Sequence, residues 1–197
     1  MKGLAQAIKN LNSINDEMVP KATAMAINRV ARRVISHSVK RVSAETKVPQ
    51  RLIRQRVRLN RASSRYKTPR ARLVINRGNL PAIALGNARV QLSRKRGNQK
   101  GAGSVLKVGR FSFPHAFIQQ LDNGRWHILQ RVGQSRYPIE VVKIPLVTPL
   151  TTAYTEESEK LLQSDMPKEM ASALKQQLRL YIKGGFGDQT YTDPTCN

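Results

Sequence analysis

The side chains that most often perform catalysis are few in this chain and lie far apart. The histidines are His37, His115 and His127, and the single cysteine is Cys196. No two of them have the spacing of zinc ligands, and no cysteine lies near a histidine. The sequence therefore predicts no catalytic residue, no metal site and no cofactor.

The acids are also poorly placed for hydrolysis of a phosphodiester bond. A metal-dependent nuclease needs clustered carboxylates to hold its ions. The long segment from Met18 to Leu121 has a single acid, Glu45. A later group, around Glu156 and Glu159, is typical of a solvated helix face. We therefore do not expect an enzyme.

A glycine-rich stretch suits a different kind of chemistry, the binding of an anion. Residues 91–103 read QLSRKRGNQKGAG and include four cations, three glycines and no acid. The Gly-Lys-Ser/Thr of a nucleotide phosphate loop is missing, so the glycines predict a flexible basic loop instead. The cations that would face DNA or an acidic partner are Arg94, Lys95, Arg96 and Lys100.

The charge of the whole chain is concentrated in one block. Its 197 residues include 35 Lys and Arg against 12 Asp and Glu, a net charge of +23. The segment from Met18 to Leu121 holds 24 of these cations and one acid. The residues on either side of it therefore hold 11 cations and 11 acids and together carry no net charge. Such a block repels itself and favours an anionic partner, which could be nucleic acid, a membrane or an acidic protein. A solvated basic face is the simpler alternative.

A second group of cations follows Pro49. Arginines at alternating intervals of three and four residues predict a basic helical stripe if the helix persists that far. They are generic phosphate partners, and no aromatic residue precedes Tyr66 to stack on a base. The pattern favours non-specific contact with a nucleic-acid backbone over sequence-specific recognition. The arginines of the stripe are Arg51, Arg54, Arg58, Arg61 and Arg65.

The periodicity of apolar residues predicts the elements that carry these cations. Helical stripes indicate a first helix over residues 2–14 and a long second helix over 19–44. Short β-branched runs over residues 70–147 indicate five or six antiparallel strands, with a hairpin at Asn123-Gly124. Helical periodicity then returns and breaks near Pro167. The order predicts an α+β fold with N-terminal helices, a central antiparallel sheet and C-terminal helices.

Composition also predicts how the chain is divided. We expect a basic helical region over residues 1–65, an α+β core with C-terminal helices over 66–183, and a mobile polar tail over 184–197. The lone cysteine predicts no internal disulfide and a reducing compartment. No apolar run reaches the length of a membrane span, and the amphipathic N-terminal segment does not have the pattern of a signal peptide. We expect a soluble protein made in the cytosol, with no membrane partner.

Several long blocks, in one order, resemble the minor tail protein Z family of lambda-like bacteriophages. The resemblance covers residues 3–183, nearly the whole chain, and no counterpart matches the residues from Gly184 onward. The blocks are KATAMAINRVA (21–31), ETKVP (45–49), VINRGNLPAIALGNARVQLSRKRG (74–97), AFIQQLDNGRWHILQRVG (116–133) and YPIEVVKIPLVTPLTTA (137–153).

The resemblance implies a structural component of a virion. Members of this family act in tail completion at the head-proximal end of the tail and in positioning the genome end. The implied partners are the genome end and other tail or neck proteins, such as the tail terminator, the tail tube and the head–tail connector. The protein would be assembled into the virion tail in the host cytoplasm. Tail symmetry favours a homo-oligomeric ring, six-fold, with a three-fold ring as the alternative.

Two other functions fit the same charge. The protein could be an architectural or non-specific DNA-binding protein that acts outside the virion. It could also be an assembly protein whose basic block docks on acidic neighbours without touching DNA. A neighbourhood of tail genes would exclude the free DNA-binding protein, but the sequence does not separate the other two functions.

Overall fold

Helices flank a run of short strands in the computed structural model, which describes residues 12, 14–92, 104–132 and 137–185. The α-helices are α1 (Val19–Thr46), α2 (Gln50–Arg54), α3 (Val147–Ser164) and α4 (Met166–Gly185). The strands are β1 (Val57–Asn60), β2 (Arg72–Ile75), β3 (Leu80–Pro81), β4 (Ala88–Leu92), β5 (Ser104–Val108), β6 (Phe111–Pro114), β7 (Ala116–Gln120), β8 (Trp126–Arg131), β9 (Ile139–Val141) and β10 (Lys143–Ile144). Residues Ile14–Met18 form a π-helical turn and Ala82–Leu85 a 3₁₀ turn.

The long second helix predicted over residues 19–44 is confirmed as α1. It ends where Lys47 adopts a left-handed conformation with φ of 58°, two residues before Pro49. The Ser43 hydroxyl donates to the carbonyl of Val48 at 2.7 Å and so holds this turn. The predicted first helix over residues 2–14 lies outside the described residues except at positions 12 and 14.

The basic helical stripe predicted after Pro49 is wrong. Helix α2 ends at Arg54, and the chain re-enters extended structure at Val57. In β1 the half-buried Val57 and Leu59 alternate with exposed residues, which is the two-residue period of a strand. Pairing with β2 therefore overrides the helical spacing of the arginines.

The α+β class is confirmed, but within the described residues four small sheets replace the single central sheet. They have the strand orders β1-β2, β10-β3, β4-β5-β6 and β7-β8-β9. Strand β6 ends at Pro114, and the left-handed His115 (φ 58°) separates it from β7. The hairpin at Asn123-Gly124 is confirmed: Gln120 pairs with Trp126, and Gly124 has the positive φ of 73° that the turn requires.

The C-terminal helices also break where expected. Helix α3 ends at Ser164 and α4 begins at Met166, so that Pro167 lies in the first turn of α4, where its missing N–H costs least. Of the predicted mobile tail, Gly184 and Gly185 belong to α4. The remainder lies outside the described residues.

Two compact units divide the chain. One comprises residues 1–37, 58–74 and 155–197, and the other residues 38–57 and 75–154. Helices α1 and α3 each contribute residues to both units. The predicted boundaries at residues 65 and 183 stay predictions, because compactness does not measure independent folding.

Each unit has its own core. In the first, small side chains of α1 and α4 let the two helices approach closely, with methionines filling the space around them; these are Ala22, Ala26 and Ala173 with Met25, Met166 and Met170. In the second, the core is aliphatic and lies among the strands and the 3₁₀ turn. Its fully enclosed members are Ala82, Leu106, Val108, Ala116 and Ile128.

Candidate nucleic-acid interface

One exposed basic feature of the described residues is the segment 58–74, here called the basic ribbon. It comprises most of strands β1 and β2 and the chain between them, and it contains no acid. All six of its cations are exposed: Arg58, Arg61, Arg65, Lys67, Arg70 and Arg72. Cations held at the surface by a short strand pair can contact successive phosphates without reading the bases.

Strand alternation explains why two cations of the ribbon, Arg58 and Arg72, point outward. In β1 Arg58 is exposed and Leu59 half-buried, and in β2 Arg72 is exposed and Leu73 half-buried. Because successive strand side chains face opposite sides, the leucines anchor the ribbon and the arginines remain in solvent. Tyr66, 69% exposed, stands between two cations of the connecting chain.

The side chain of Asn28 fixes the ribbon to α1. Its amide nitrogen donates to the carbonyl of Ala62 at 2.9 Å, and its amide oxygen accepts from the Ala62 N–H at 2.8 Å. Ala62 is buried, so both backbone groups would otherwise lack a partner away from water. One side chain thus satisfies both backbone groups of Ala62 in the middle of a basic, solvent-exposed segment.

Two cations of α1 are used differently, because they pair with one acid just before α4 and one acid in its first turn. Arg33 donates to Asp165 at 2.6 Å and also to Glu169. Arg29 lies 3.3 Å from the same Glu169 and donates to Gln176 at 2.8 Å. These two guanidinium groups therefore have carboxylate partners within the chain and contribute less to any field felt by an outside anion.

The pKa values around this cluster follow from its contacts. The hydrogen bond from Arg33 holds the pKa of Asp165 below its ordinary value, and the same bond raises the pKa of Arg33. Both groups are thus stabilised in their charged forms. Elsewhere, burial raises the pKa of Tyr154 to about 12, against a smaller lowering by Arg54.

Arg56 has a structural role that the sequence analysis missed. Its guanidinium donates to the carbonyls of Asn76 and Asn79, each at 3.4 Å, and to that of Gly78. Partial burial lowers its pKa. Nothing in the local spacing distinguishes Arg56 from its neighbours, because its partners lie 20 or more residues along the chain.

The structure separates the predicted site residues into three groups. Arg58 and Arg61 lie in the basic ribbon, whereas Arg51 and Arg54 are exposed on α2, in the other compact unit. The predicted loop cations lie outside the described residues: Arg94, Lys95, Arg96 and Lys100. The ribbon therefore brings together three of the nine cations singled out in the sequence, Arg58, Arg61 and Arg65, and adds Lys67, Arg70 and Arg72 to them.

The residues suited to catalysis form no cluster in the part of the chain that the structure describes. His37 lies 3.7 Å from Glu157 on the surface, an ion pair only when the imidazole is protonated. Within the described ranges no group of three or more His, Cys, Asp or Glu residues could hold a metal ion. Nor does any helix in those ranges combine the length and apolar character needed to cross a membrane.

The fold and its exposed cations define a basic α+β protein with a surface suited to anions. The chain belongs to the family of prophage minor tail protein Z, whose family model matches residues 1–184. It is 57% identical over 182 residues to a tail completion protein of Escherichia phage N15, an alignment that covers 92% of this chain and 98% of that one. It is 53% identical over 191 residues to tail completion protein Z of Escherichia phage lambda, with 93% and 98% covered. No solved structure matches the chain.

Proposed function

We propose that this protein is a structural, non-enzymatic component of a long-tailed phage virion that completes the tail at its head-proximal end. The support is its family and two relatives above 50% identity that carry the name tail completion protein. Its partners are other tail or neck proteins, such as the tail terminator, the tail tube and the head–tail connector. We further propose a homo-oligomeric ring, six-fold or three-fold, because phage tails are built from rings.

Within that ring a basic surface contacts the end of the phage genome and helps to position it. The observation that carries this part is the basic ribbon, with six exposed cations and no acid. A ring would repeat these cations around one axis, so that weak contacts per subunit add through effective concentration. The other predicted cations are proposed as further contacts for DNA or an acidic partner: Arg51, Arg54, Arg94, Lys95, Arg96 and Lys100.

Duplex-DNA binding over a salt series tests the ribbon. The ribbon variant replaces four cations by alanine: Arg61, Arg65, Lys67 and Arg70. Each lost phosphate contact flattens the slope of log K against log salt by about 0.9, so we expect a reduction of up to ~3.6. A parallel variant measures how much the loop cations contribute to the slope. In it, alanine replaces Arg94, Lys95, Arg96 and Lys100.

A matched control removes the same charge from exposed cations elsewhere: Arg89, Arg110, Arg125 and Lys143. Equal slopes for the ribbon and control variants would mean that net charge alone drives binding, and no binding by the wild type would remove DNA as a partner. A phage with this gene deleted then tests the virion role, with infectious particles restored by wild type in trans. Full infectivity without the protein would favour the DNA-binding protein acting outside the virion.

A further inference from the structure

The outer side of α4 carries an apolar row that nothing else in the described residues covers. Leu174, Leu178 and Ile182 follow one another at intervals of four residues and are 38%, 45% and 52% exposed. Side chains four apart form one ridge along a helix, so these three make a continuous apolar row. Grouped apolar side chains at a surface mark a contact with another protein.

The neighbouring row of α4 is cationic. Lys175, Arg179 and Lys183 each follow a member of the apolar row by one residue, and all three are exposed. No acid occurs in α4 from Met170 onward. The same three cations, with Lys168, line an open groove of about 730 Å³ on this side of the helix. The helix thus presents an apolar ridge bordered by an unbroken cationic ridge.

The charge beside the apolar row of α4 determines which kind of partner can bind there. A second α4 would set cations against cations, which is unfavourable at close range. Duplex DNA would satisfy the cations but leave the leucines without an apolar contact. A protein surface with an apolar row bordered by carboxylates satisfies both ridges and fixes their register. We propose that α4 docks on an acidic, apolar-faced neighbouring protein of the tail, an inference that rests on the proposed function.

Purified tails from a phage lacking this protein provide the test. The full-length protein is added to them and bound protein is measured by co-sedimentation. A variant with Leu178→Ser and Ile182→Ser is expected to attach at least ~10-fold more weakly, since two apolar anchors are lost. A second variant with Lys175→Glu and Arg179→Glu is expected to attach as weakly, because it repels the acidic partner.

A control with Val90→Ser and Val132→Ser, which are 58% and 60% exposed, should attach like wild type. The melting temperature and the DNA salt slope of the Leu178→Ser, Ile182→Ser variant should equal those of wild type. Wild-type attachment by both α4 variants would overturn the inference alone. Failure of the wild type to attach would overturn the proposed function and the inference with it. If the Leu178→Ser, Ile182→Ser variant, whose charge is unchanged, altered self-association of the free protein or its DNA binding, the occupant would be a second copy or DNA instead of an acidic neighbour.

Discussion

The arginines of this chain differ in what their guanidinium groups contact. Arg33 contacts two carboxylates, Arg56 contacts three backbone carbonyls, and Arg58 faces solvent. Only a group of the last kind can exchange its counterions for phosphate without losing an internal contact. The cations available to an outside anion are therefore fewer than the 35 Lys and Arg residues of the sequence, and the basic ribbon holds six exposed ones.

At the residue scale, the pair Arg33–Asp165 predicts a pH-dependent stability. The pKa of Asp165 is lowered in the folded state, so its contribution is present above the ordinary value near 3.8 and is lost as the pH falls through the folded value. We expect Arg33→Ala to reduce the free energy of unfolding at pH 7. The reduction should be smaller at about pH 3, below that ordinary value, because protonation of Asp165 removes the ion pair. Urea denaturation at the two pH values measures it.

The adjacent Arg32 offers a matched control, because it is exposed on the same helix. The difference between wild type and Arg32→Ala should not change with pH. An Arg33→Ala loss of equal size at both pH values would contradict the ion-pair account. It would indicate that the aliphatic stem of Arg33 matters through packing instead.

The sequence could locate these cations but not their partners. Arg33 and Asp165 are 132 residues apart, and Arg29 and Glu169 are 140 apart. Periodicity reports neighbours within a few residues along one element, so it carries no signal for a pair formed between elements. The same limit hid the contacts of Arg56. Exposure and pairing, which decide whether an arginine can bind DNA, are tertiary properties.

At the element scale, the clamp between Asn28 and Ala62 predicts how the ribbon is held. Asn28→Ala would leave a buried N–H and a buried carbonyl without a partner, at about 1–3 kcal/mol for such a group. We expect a loss of about 2 kcal/mol in the free energy of unfolding, read by urea denaturation. Protection of the Ala62 amide from hydrogen exchange should fall as well.

Asn60 supplies the control for this prediction. It is exposed in β1 of the same ribbon, so Asn60→Ala should change stability by less than about 0.5 kcal/mol. Equal losses for the two variants would show that the clamp contributes nothing specific. If Asn28→Ala lowers the stability but leaves the DNA salt slope unchanged, the clamp attaches the ribbon to α1 without affecting how the ribbon binds DNA.

Some elements could be predicted from the sequence because a local signal, either a repeat of apolar residues or a turn sequence, was strong. Helix α1 has a long apolar stripe, and the hairpin at Asn123-Gly124 has a turn sequence that requires positive φ. Strand β1 was missed because a spacing of four, as between Arg54 and Arg58, places side chains on one face of a helix and of a strand alike. Pairing with β2, more than ten residues further along, decided between them.

At the scale of the whole molecule, the net charge of +23 predicts that salt stabilises the fold. Screening weakens self-repulsion among the exposed cations more than it weakens the few internal ion pairs. We expect the free energy of unfolding to increase by roughly 1 kcal/mol between 20 and 300 mM NaCl. The increase is measured as a rise in the urea concentration at the unfolding midpoint. The ribbon variant, with four fewer positive charges, should show a smaller rise. A midpoint that falls with salt would mean that the internal pairs dominate.

The order helices, strands, helices was enough to predict an α+β molecule, but not how its strands group. In the part of the chain that the structure describes, strand lengths of two to six residues and the left-handed His115 divide the strands into four sheets. The composition of the compact units was also out of reach, since one unit joins three separate stretches of chain. Sequence patterns describe consecutive residues, whereas such a unit is defined by contacts between distant ones.

The pairing of α1 with α4 has a consequence for the order of synthesis. The arginines of α1 leave the ribosome 132 or more residues before the acids that pair with them, which is roughly 7–26 s at ordinary rates of translation. During that interval the nascent chain has its basic block without its internal counter-charges, next to ribosomal and messenger RNA. We therefore expect ribosome-bound chains ending before Asp165 to associate with RNA more strongly than released full-length chains. Equal association by the two sets would show that the late acids have no protective effect during synthesis.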